Sequence, residues 1–329
     1  MPANLPPQYH AAEARYRAAS TPEEKIQALR EMLAVMPKHK GTEKMQADIR
    51  RRISQLQAES KRARATARGA PPWIVEKVGI GQVPVVGPPN AGKSSLVAAL
   101  TRAEPRIADY PFTTTAPCPG MMEFENVQVQ LVDTPPLGPG HWVDWMPDLL
   151  RRADACLLLL DLAVPEPWAA VAPIRAGFRE RGVWLGPPGP DDEPGPFDVV
   201  VPVLVVANKA DAPGAAERWA AWPANADRPA LAVSARRGDG LDALRRRVFE
   251  TLNVVRVYPK PPGKPPDRSE PFVLPAGSTV RALAERIHKE VARGFRYARV
   301  WGGSGKFEGQ RVGEDHVLAD GDVVEIHAG

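Results

Sequence analysis

The chain has 329 residues, 25% of them charged and 43% hydrophobic, which excludes a disordered or fibrous protein and is ample for two or three packed domains. Two cysteines, Cys118 and Cys156, exclude a disulfide framework, and no apolar run reaches the roughly 18–20 residues of a membrane span. The net charge of +4 is uneven: residues 1–69 carry a net +7 and the rest a net −3. The basic end points to an anionic partner, RNA or a membrane surface, or else to a solvated helical face. Without a secretion-like apolar start, the chain is expected to be cytoplasmic.

In chain order, Thr21-Pro22-Glu23-Glu24 reads as a cap, a first-turn proline and a capping-box glutamate. Ile26, Leu29, Leu33 and Met36 continue at helical spacing to a break at residues 37–41. Thr42 is placed to cap a second helix, with Met45, Ile49, Ile53 and Leu56 on one face. A helical hairpin over residues 1–69 follows, its outer face carrying Arg50, Arg51, Arg52, Lys61, Arg62, Arg64 and Arg68. Gly69-Ala-Pro-Pro72 is a hinge signal.

From 73 to 258, buried-strand runs alternate with helical stretches. Strands are expected at residues 83–87, 127–133, 155–161, 199–208 and 230–234, with a helix over about 241–252 and an added strand at 254–258. Continuous apolar strands between helices argue for an α/β fold with a mainly parallel sheet. Residues 186–196, crowded with Gly, Pro and Asp, are expected to form an exposed loop. Residues 259–266 read as an extended proline-rich linker. The segment 267–329 is expected to pack one helix, from 279 to about 292, on a small mixed sheet with strands at 272–274, 297–301 and 323–327.

Gly87-Pro88-Pro89-Asn90-Ala91-Gly92-Lys93-Ser94, followed by Ser95, matches the phosphate-binding P-loop between a strand and a helix. Its backbone N–H groups face phosphate oxygens, Lys93 neutralises β/γ-phosphate charge, and Ser94 binds Mg²⁺. Asn208-Lys209-Ala210-Asp211 lies 115 residues beyond Lys93 at a strand end. A carboxylate at Asp211 accepts from both N1–H and the 2-amino group of guanine, a pair adenine lacks, so the ligand is GTP or GDP rather than ATP. Asn208 is placed to tie this loop to the phosphate loop, the Lys209 stem to cover the base, and Ser234-Ala235 to support Asp211 and offer an N–H to guanine O6. Asp133 is placed to reach Mg²⁺ through water, and one of Thr113, Thr114 and Thr115 to bind Mg²⁺ and sense the γ-phosphate. Trp142 and Trp145 fit the buried face of a helix better than a partner patch, and His141 fits ordinary surface better than catalysis.

Ala108-Asp-Tyr-Pro-Phe-Thr-Thr-Thr-Ala-Pro-Cys-Pro-Gly120, with the phosphate loop above, resembles the Obg-related GTPases. Arg296-Tyr-Ala-Arg-Val-Trp-Gly302, Gln310-Arg-Val-Gly313 and His316-Val-Leu-Ala-Asp320 are similar to the TGS domain of the developmentally regulated GTP-binding (DRG) proteins, and the basic hairpin resembles theirs. The resemblance implies a P-loop GTPase domain, a β-grasp-like TGS domain, action with RNA or ribosomes, and Thr114 as the switch threonine. The chain departs from it at one position and in one interval. The aspartate motif of the family usually ends in a glycine whose N–H contacts the γ-phosphate, and here that position is Pro136. Where switch GTPases commonly place a glutamine, just after this motif, the chain has Leu137. Only 75 residues separate Asp133 from Asn208, so the inserted domain of eukaryotic members is expected to be absent. By analogy with related GTPases that have an apolar residue at the glutamine position, Asn90 is expected to help hold a K⁺ beside the phosphates. A slow GTPase switch, a GTP/GDP sensor with little hydrolysis, and an RNA-binding factor with a structural nucleotide are the functions that remain.

Overall fold

The structure is a computed structural model, and it describes residues 6–19, 22–37, 42, 45–54, 56, 73–101, 116–138, 140–222 and 230–329. The chain divides into two compact units, residues 1–74 with 188–199, and residues 75–187 with 200–329.

The first unit is helical. Helix α1 (Pro7–Ala18) and helix α2 (Pro22–Val35) are followed by α3, residues 45–54. Among the described residues the segment expected to be a two-helix hairpin holds three helices. Helix α1 escapes the pattern because its inner face is built from Tyr9, Ala12 and Tyr16, and alanine gives little apolar periodicity. Tyr9, Leu29, Met32, Met36, Ile49 and Leu56 form the core of this unit. The loop expected over 186–196 is irregular, and Phe197, just after it, packs on this core with its ring 5.0 Å from that of Tyr16.

The second unit holds two sheets and a small ribbon. Strand β1 (Gln82–Val86) leads into α4 (Lys93–Leu100), then β2 (Cys118–Phe124) and β3 (Val127–Asp133). Helix α5 (Met146–Arg152), β4 (Cys156–Asp161), α6 (Val171–Arg179) and β5 (Val183–Leu185) follow. Next come β6 (Val199–Val201), β7 (Val203–Asn208), α7 (Ala215–Ala220), β8 (Ala230–Ala232) and α8 (Leu241–Thr251). The main sheet has the order β2-β3-β1-β4-β7-β8 and is parallel except for β2. Val83, Val85, Leu131, Leu157, Leu159, Leu204 and Val206 fill one layer against Leu96, Leu244 and Val248. The single strand expected over 199–208 is divided at Pro202, which has no N–H to donate. Its first part pairs with β5 as a separate ribbon, and its second joins the main sheet. The interval between Asp133 and Asn208 is taken up by these elements.

The small sheet contains β9 (Val254–Pro259), β10 (Phe272–Pro275), β11 (Phe295–Trp301), β12 (Gln310–Val312) and β13 (Asp322–Ala328), in the order β10-β9-β13-β11-β12. It is mixed, with β13 parallel to β9 and the other pairs antiparallel. Helices α9 (Val280–Ile287) and α10 (Lys289–Arg293) replace the one long helix expected, because His288 adopts an extended conformation and caps α10. The strand at 254–258 belongs to this sheet and not to the larger one, so residues 259–266 are an internal connection between β9 and β10 rather than a linker.

Arg256 of β9 fastens the two sheets together. It is 8% exposed, donates to Asp320 at 2.7 Å and to Glu125 in the β2–β3 turn, and lies over the ring of Phe249 at 4.8 Å. Asn126, in the same turn, donates to the Tyr258 hydroxyl at 2.8 Å. The bonds to Asp320 hold the Arg256 guanidinium charged well beyond its ordinary range.

Candidate functional site

The loop 87–92 turns between β1 and α4 through three residues of positive φ: Gly87 (158°), Asn90 (61°) and Gly92 (86°). A side chain at Gly87 would meet the Leu159 carbonyl oxygen at 2.3 Å, and one at Gly92 would press on the Asn208 amide at 2.5 Å. Sterics alone therefore demand glycine at both ends of this loop. Gly92 caps α4, so the first-turn N–H groups of that helix open toward the loop.

Lys93 is 7% exposed, and its ammonium donates to the carbonyls of Gly87 and Pro88, both at 3.1 Å. Burial lowers its pKa to about 8, against a smaller opposing pull from Asp133. A triphosphate beside Lys93 favours the charged form and raises that pKa again. Binding above about pH 8 must then take up a proton, so affinity is flat below about pH 8 and falls up to tenfold per pH unit above it. Titration with fluorescent GDP from about pH 7 to about pH 9 measures this. Lys93→Arg, which stays charged, should flatten the curve, and a wild-type curve already flat would refute the assignment.

Ser94 Oγ donates to Asp133 Oδ2 at 2.6 Å, while Asp133 Oδ1 is buried with no hydrogen-bond partner among the described residues. Burial raises the Asp133 pKa, opposed by the Ser94 bond and by Lys93. A buried carboxylate oxygen without a donor, beside a serine hydroxyl, fits a hard divalent cation such as Mg²⁺. Thr113, Thr114 and Thr115 lie outside the described residues.

Thr134 Oγ1 donates to the Val85 carbonyl at 2.7 Å, and the Leu137 N–H donates to the Gly87 carbonyl at 2.9 Å. The Leu137 side chain is fully buried. With Pro136 lacking an N–H and that of Leu137 already bonded, this turn offers no donor at either position to a γ-phosphate.

The guanine side is joined to the phosphate side by one residue. Asn208 donates to the Ala91 carbonyl at 2.9 Å and accepts from the Ala235 N–H at 3.0 Å. Ser234 donates to Asp211 Oδ1 at 2.7 Å, and that bond holds Asp211 below the usual carboxylate range. Asn208, Asp211, Ser234 and Ala235 are thus gathered in one place. Lys209 has a positive φ of 62°, and its ammonium meets Asp161 Oδ2 at 2.6 Å.

Asp161 was missed from sequence. It is 6% exposed, ends the apolar run of β4, and its second oxygen accepts from the Ala163 N–H at 2.8 Å. A lone carboxylate closing a fully buried strand is the signal that would have found it. The ion pair anchors the tip of Lys209. Asp161→Asn keeps the Ala163 bond and loses the charge pair. It should weaken GDP and GTP alike by about tenfold, read by nucleotide titration; unchanged affinities would show that the pair does not position Lys209.

Trp142 and Trp145 precede α5 rather than lying within it, and both are half-buried. Trp142 packs 5.0 Å from the Phe178 ring under the Arg181 guanidinium. Exposed His141 sits in a tight turn with Gly138.

Comparison with known proteins finds GTP-binding relatives. A family model described as 50S ribosome-binding GTPase matches residues 82–180, and the TGS domain model matches residues 255–328. The chain is 29% identical to an uncharacterized GTP-binding protein of Methanocaldococcus jannaschii, covering 92% of each. It is 28% identical to the developmentally-regulated GTP-binding protein 1 homolog of Dictyostelium discoideum, over 92% of this chain and 98% of that one. Against ribosome-interacting GTPase 1 of Saccharomyces cerevisiae the identity is 26%, over 93% and 99%. The first of these alignments runs over 369 positions, more than the 329 residues of this chain, so that relative carries segments it lacks.

Proposed function

We propose that this chain, a relative of the developmentally regulated GTP-binding proteins that joins a GTPase domain to a TGS domain, is a slow GTP-hydrolysing switch acting with RNA or ribosomes in the cytoplasm. The observation that carries the nucleotide reading is the Asn208 amide, which ties the guanine loop to Ala91 of the phosphate loop. One ligand must then satisfy both loops, and only a guanine nucleotide carries both sets of partners.

In this reading Lys93 and the backbone of residues 87–94 hold the β- and γ-phosphates. Ser94, Asp133 and Thr114 hold Mg²⁺, which when bound neutralises charge on the β- and γ-oxygens. Asp211, Ser234 and Ala235 select guanine. Slow hydrolysis follows from the turn at 134–137, where the residue at the glutamine position is a buried leucine. The basic N-terminal segment, in which Arg50 and Arg51 are exposed, supplies attraction to RNA phosphates, together with the TGS domain.

Single-turnover hydrolysis of γ-labelled GTP tests the enzymatic part. An intrinsic rate on the order of 10⁻⁴ to 10⁻² s⁻¹ is expected. Release no faster than from GTP alone would favour a GTP/GDP-sensing RNA-binding factor, the reading that Pro136 and the occupied Leu137 N–H also favour. For the RNA part, Arg50 and Arg51 exchanged for glutamine should flatten the salt dependence of RNA binding. Deleting residues 1–69 is a poorer test, since it would strip the helices from around Phe197.

A further inference from the structure

Between residues 267 and 329 the charges nearly balance, nine basic against ten acidic. The fold separates them. Strands β11 and β12 carry Arg296, Arg299 and Arg311 and no acidic residue. Alternation sends Ala298, Val300 and Val312 into the small core, and so turns Tyr297, Arg299, Trp301 and Arg311 to the opposite face. Toward β9 and β13 that face is closed: Arg256, Tyr258, Val323 and Glu325 are all buried. Over β11 and the edge strand β12 it is open, with Arg299 and Arg311 exposed.

Arg299 and Arg311 lie directly opposite each other in the β11–β12 register. Like charges in that position destabilise a sheet unless an anion lies between them. Among the described residues Arg299 makes no ion pair or hydrogen bond, and Arg311 makes no ion pair. The carboxylate opposite Arg299 on β13, Glu325, is 5% exposed and already takes Lys260 and His327. Lys260, Arg299 and Arg311 against Glu325 leave the strip with two uncompensated positive charges.

The cations are also held in fixed planes. The Arg311 guanidinium lies 4.0 Å over the Tyr297 ring, whose other neighbour across the sheet is the His327 ring, stacked at 4.3 Å. Lys260 lies 5.0 Å over the Trp301 ring. A guanidinium backed by an aromatic ring on an edge strand presents its second face to solvent, where an unpaired base can stack, while a neighbouring arginine takes the phosphate beside it.

We infer that the open face of β11 and β12 binds single-stranded RNA, with Arg299 and Arg311 each neutralising a phosphate and the Arg311 guanidinium plane serving also as a stacking platform. This rests on the RNA reading above and assigns that role to one face of the TGS domain. An acidic peptide would use the two charges but not the guanidinium plane, and a duplex would offer phosphates without a free base.

The test uses the full chain and a fluorescein-labelled, mixed-sequence single-stranded RNA of about 20 nucleotides, titrated at several salt concentrations. For the variant with Arg299→Gln and Arg311→Gln, the log–log salt slope should fall by about 1.4, two phosphates at roughly 0.7 each. Arg299→Gln alone, at a side chain without partners, should account for about half of that and guards against a folding defect. Arg311→Lys should keep the slope and still lose affinity, because the charge remains and the plane does not. Arg281→Gln, on α9, should change nothing. If wild type binds and the double variant matches it in affinity and slope, this face is not the RNA site, while the RNA reading survives through the N-terminal segment. Polyglutamate competing as well as RNA would assign the face to acidic protein segments and overturn the inference. Absence of RNA binding by wild type would refute the inference and the RNA part of the proposed function together.

Discussion

Replacing Asp211 by asparagine is expected to weaken GTP and GDP binding at least about a hundredfold. Each charge-assisted hydrogen bond corresponds to roughly tenfold or more in affinity, and guanine offers two donors to this carboxylate. Ser234 occupies Oδ1 at 2.7 Å and orients the group. An asparagine in the same place would turn an N–H toward a guanine N–H, so the loss includes a donor facing a donor. The same chemistry supplies an internal control. Xanthine carries a carbonyl where guanine has its 2-amino group, so the variant should gain affinity for xanthosine triphosphate while it loses GTP. Gain for one nucleotide and loss for the other cannot come from misfolding. Competition against fluorescent GDP with GTP, ATP and xanthosine triphosphate reads all three affinities. Equal wild-type affinity for ATP and GTP would remove Asp211 from the guanine site.

The phosphate and guanine loops were legible in the sequence because their chemistry is local. The positive φ at Gly87 and Gly92 is a demand of the loop itself, and the match of 87–94 to a strand–loop–helix setting is short-range information, whereas the groups that close in on those glycines, Leu159 and Asn208, are distant in sequence. What failed was non-local. Residues 254–258 look like any half-apolar strand, and only pairing with β10 and β13 decides which sheet takes them. Strand β2 begins Cys-Pro-Gly, a turn signal, and becomes a strand because β3 pairs with it from Cys118↔Asp133 to Phe124↔Val127. Asp161 shows in the sequence only as a lone carboxylate ending an apolar run, and its partner Lys209 reaches it across 48 positions only in the fold. The arginines of the small sheet carry the same lesson. Over 267–329 nine basic residues nearly balance ten acidic ones, and only strand alternation puts two of the arginines on one open face. Phe197 likewise follows directly on a segment that composition marks as loop, yet its ring packs against Tyr16 of the N-terminal helices.

GTP hydrolysis is expected to run at least about tenfold faster in K⁺ than in Na⁺ at matched ionic strength. The reason lies in what the turn after Asp133 lacks. A switch GTPase commonly orients its attacking water with a glutamine after the aspartate motif. Here that residue is Leu137, fully buried, and its N–H is committed to the Gly87 carbonyl at 2.9 Å. Pro136 adds no donor. Charge developing on the phosphates therefore needs another source of stabilisation, since Lys93 is the one cation that the phosphate loop itself supplies. Asn90 offers a way to hold one. It is exposed in the phosphate loop, and its φ of 61° places its amide on a left-handed turn that asparagine tolerates better than other side chains. A monovalent cation held there would lie beside the phosphates, where an arginine finger acts in other GTPases. Size selects K⁺ over Na⁺ if the amide and the phosphate oxygens fix the cavity. Alanine at this φ would be strained by about 1–2 kcal/mol, so Asn90→Gly is the cleaner variant: it keeps the turn and removes the amide. Single-turnover rates in K⁺ and in Na⁺ should then converge on the slower value, with GTP affinity retained. Asn90→Ala should show the same convergence with some loss of binding. If wild-type rates are identical in the two salts, the cation mechanism is wrong, and hydrolysis must draw its missing charge from a bound partner.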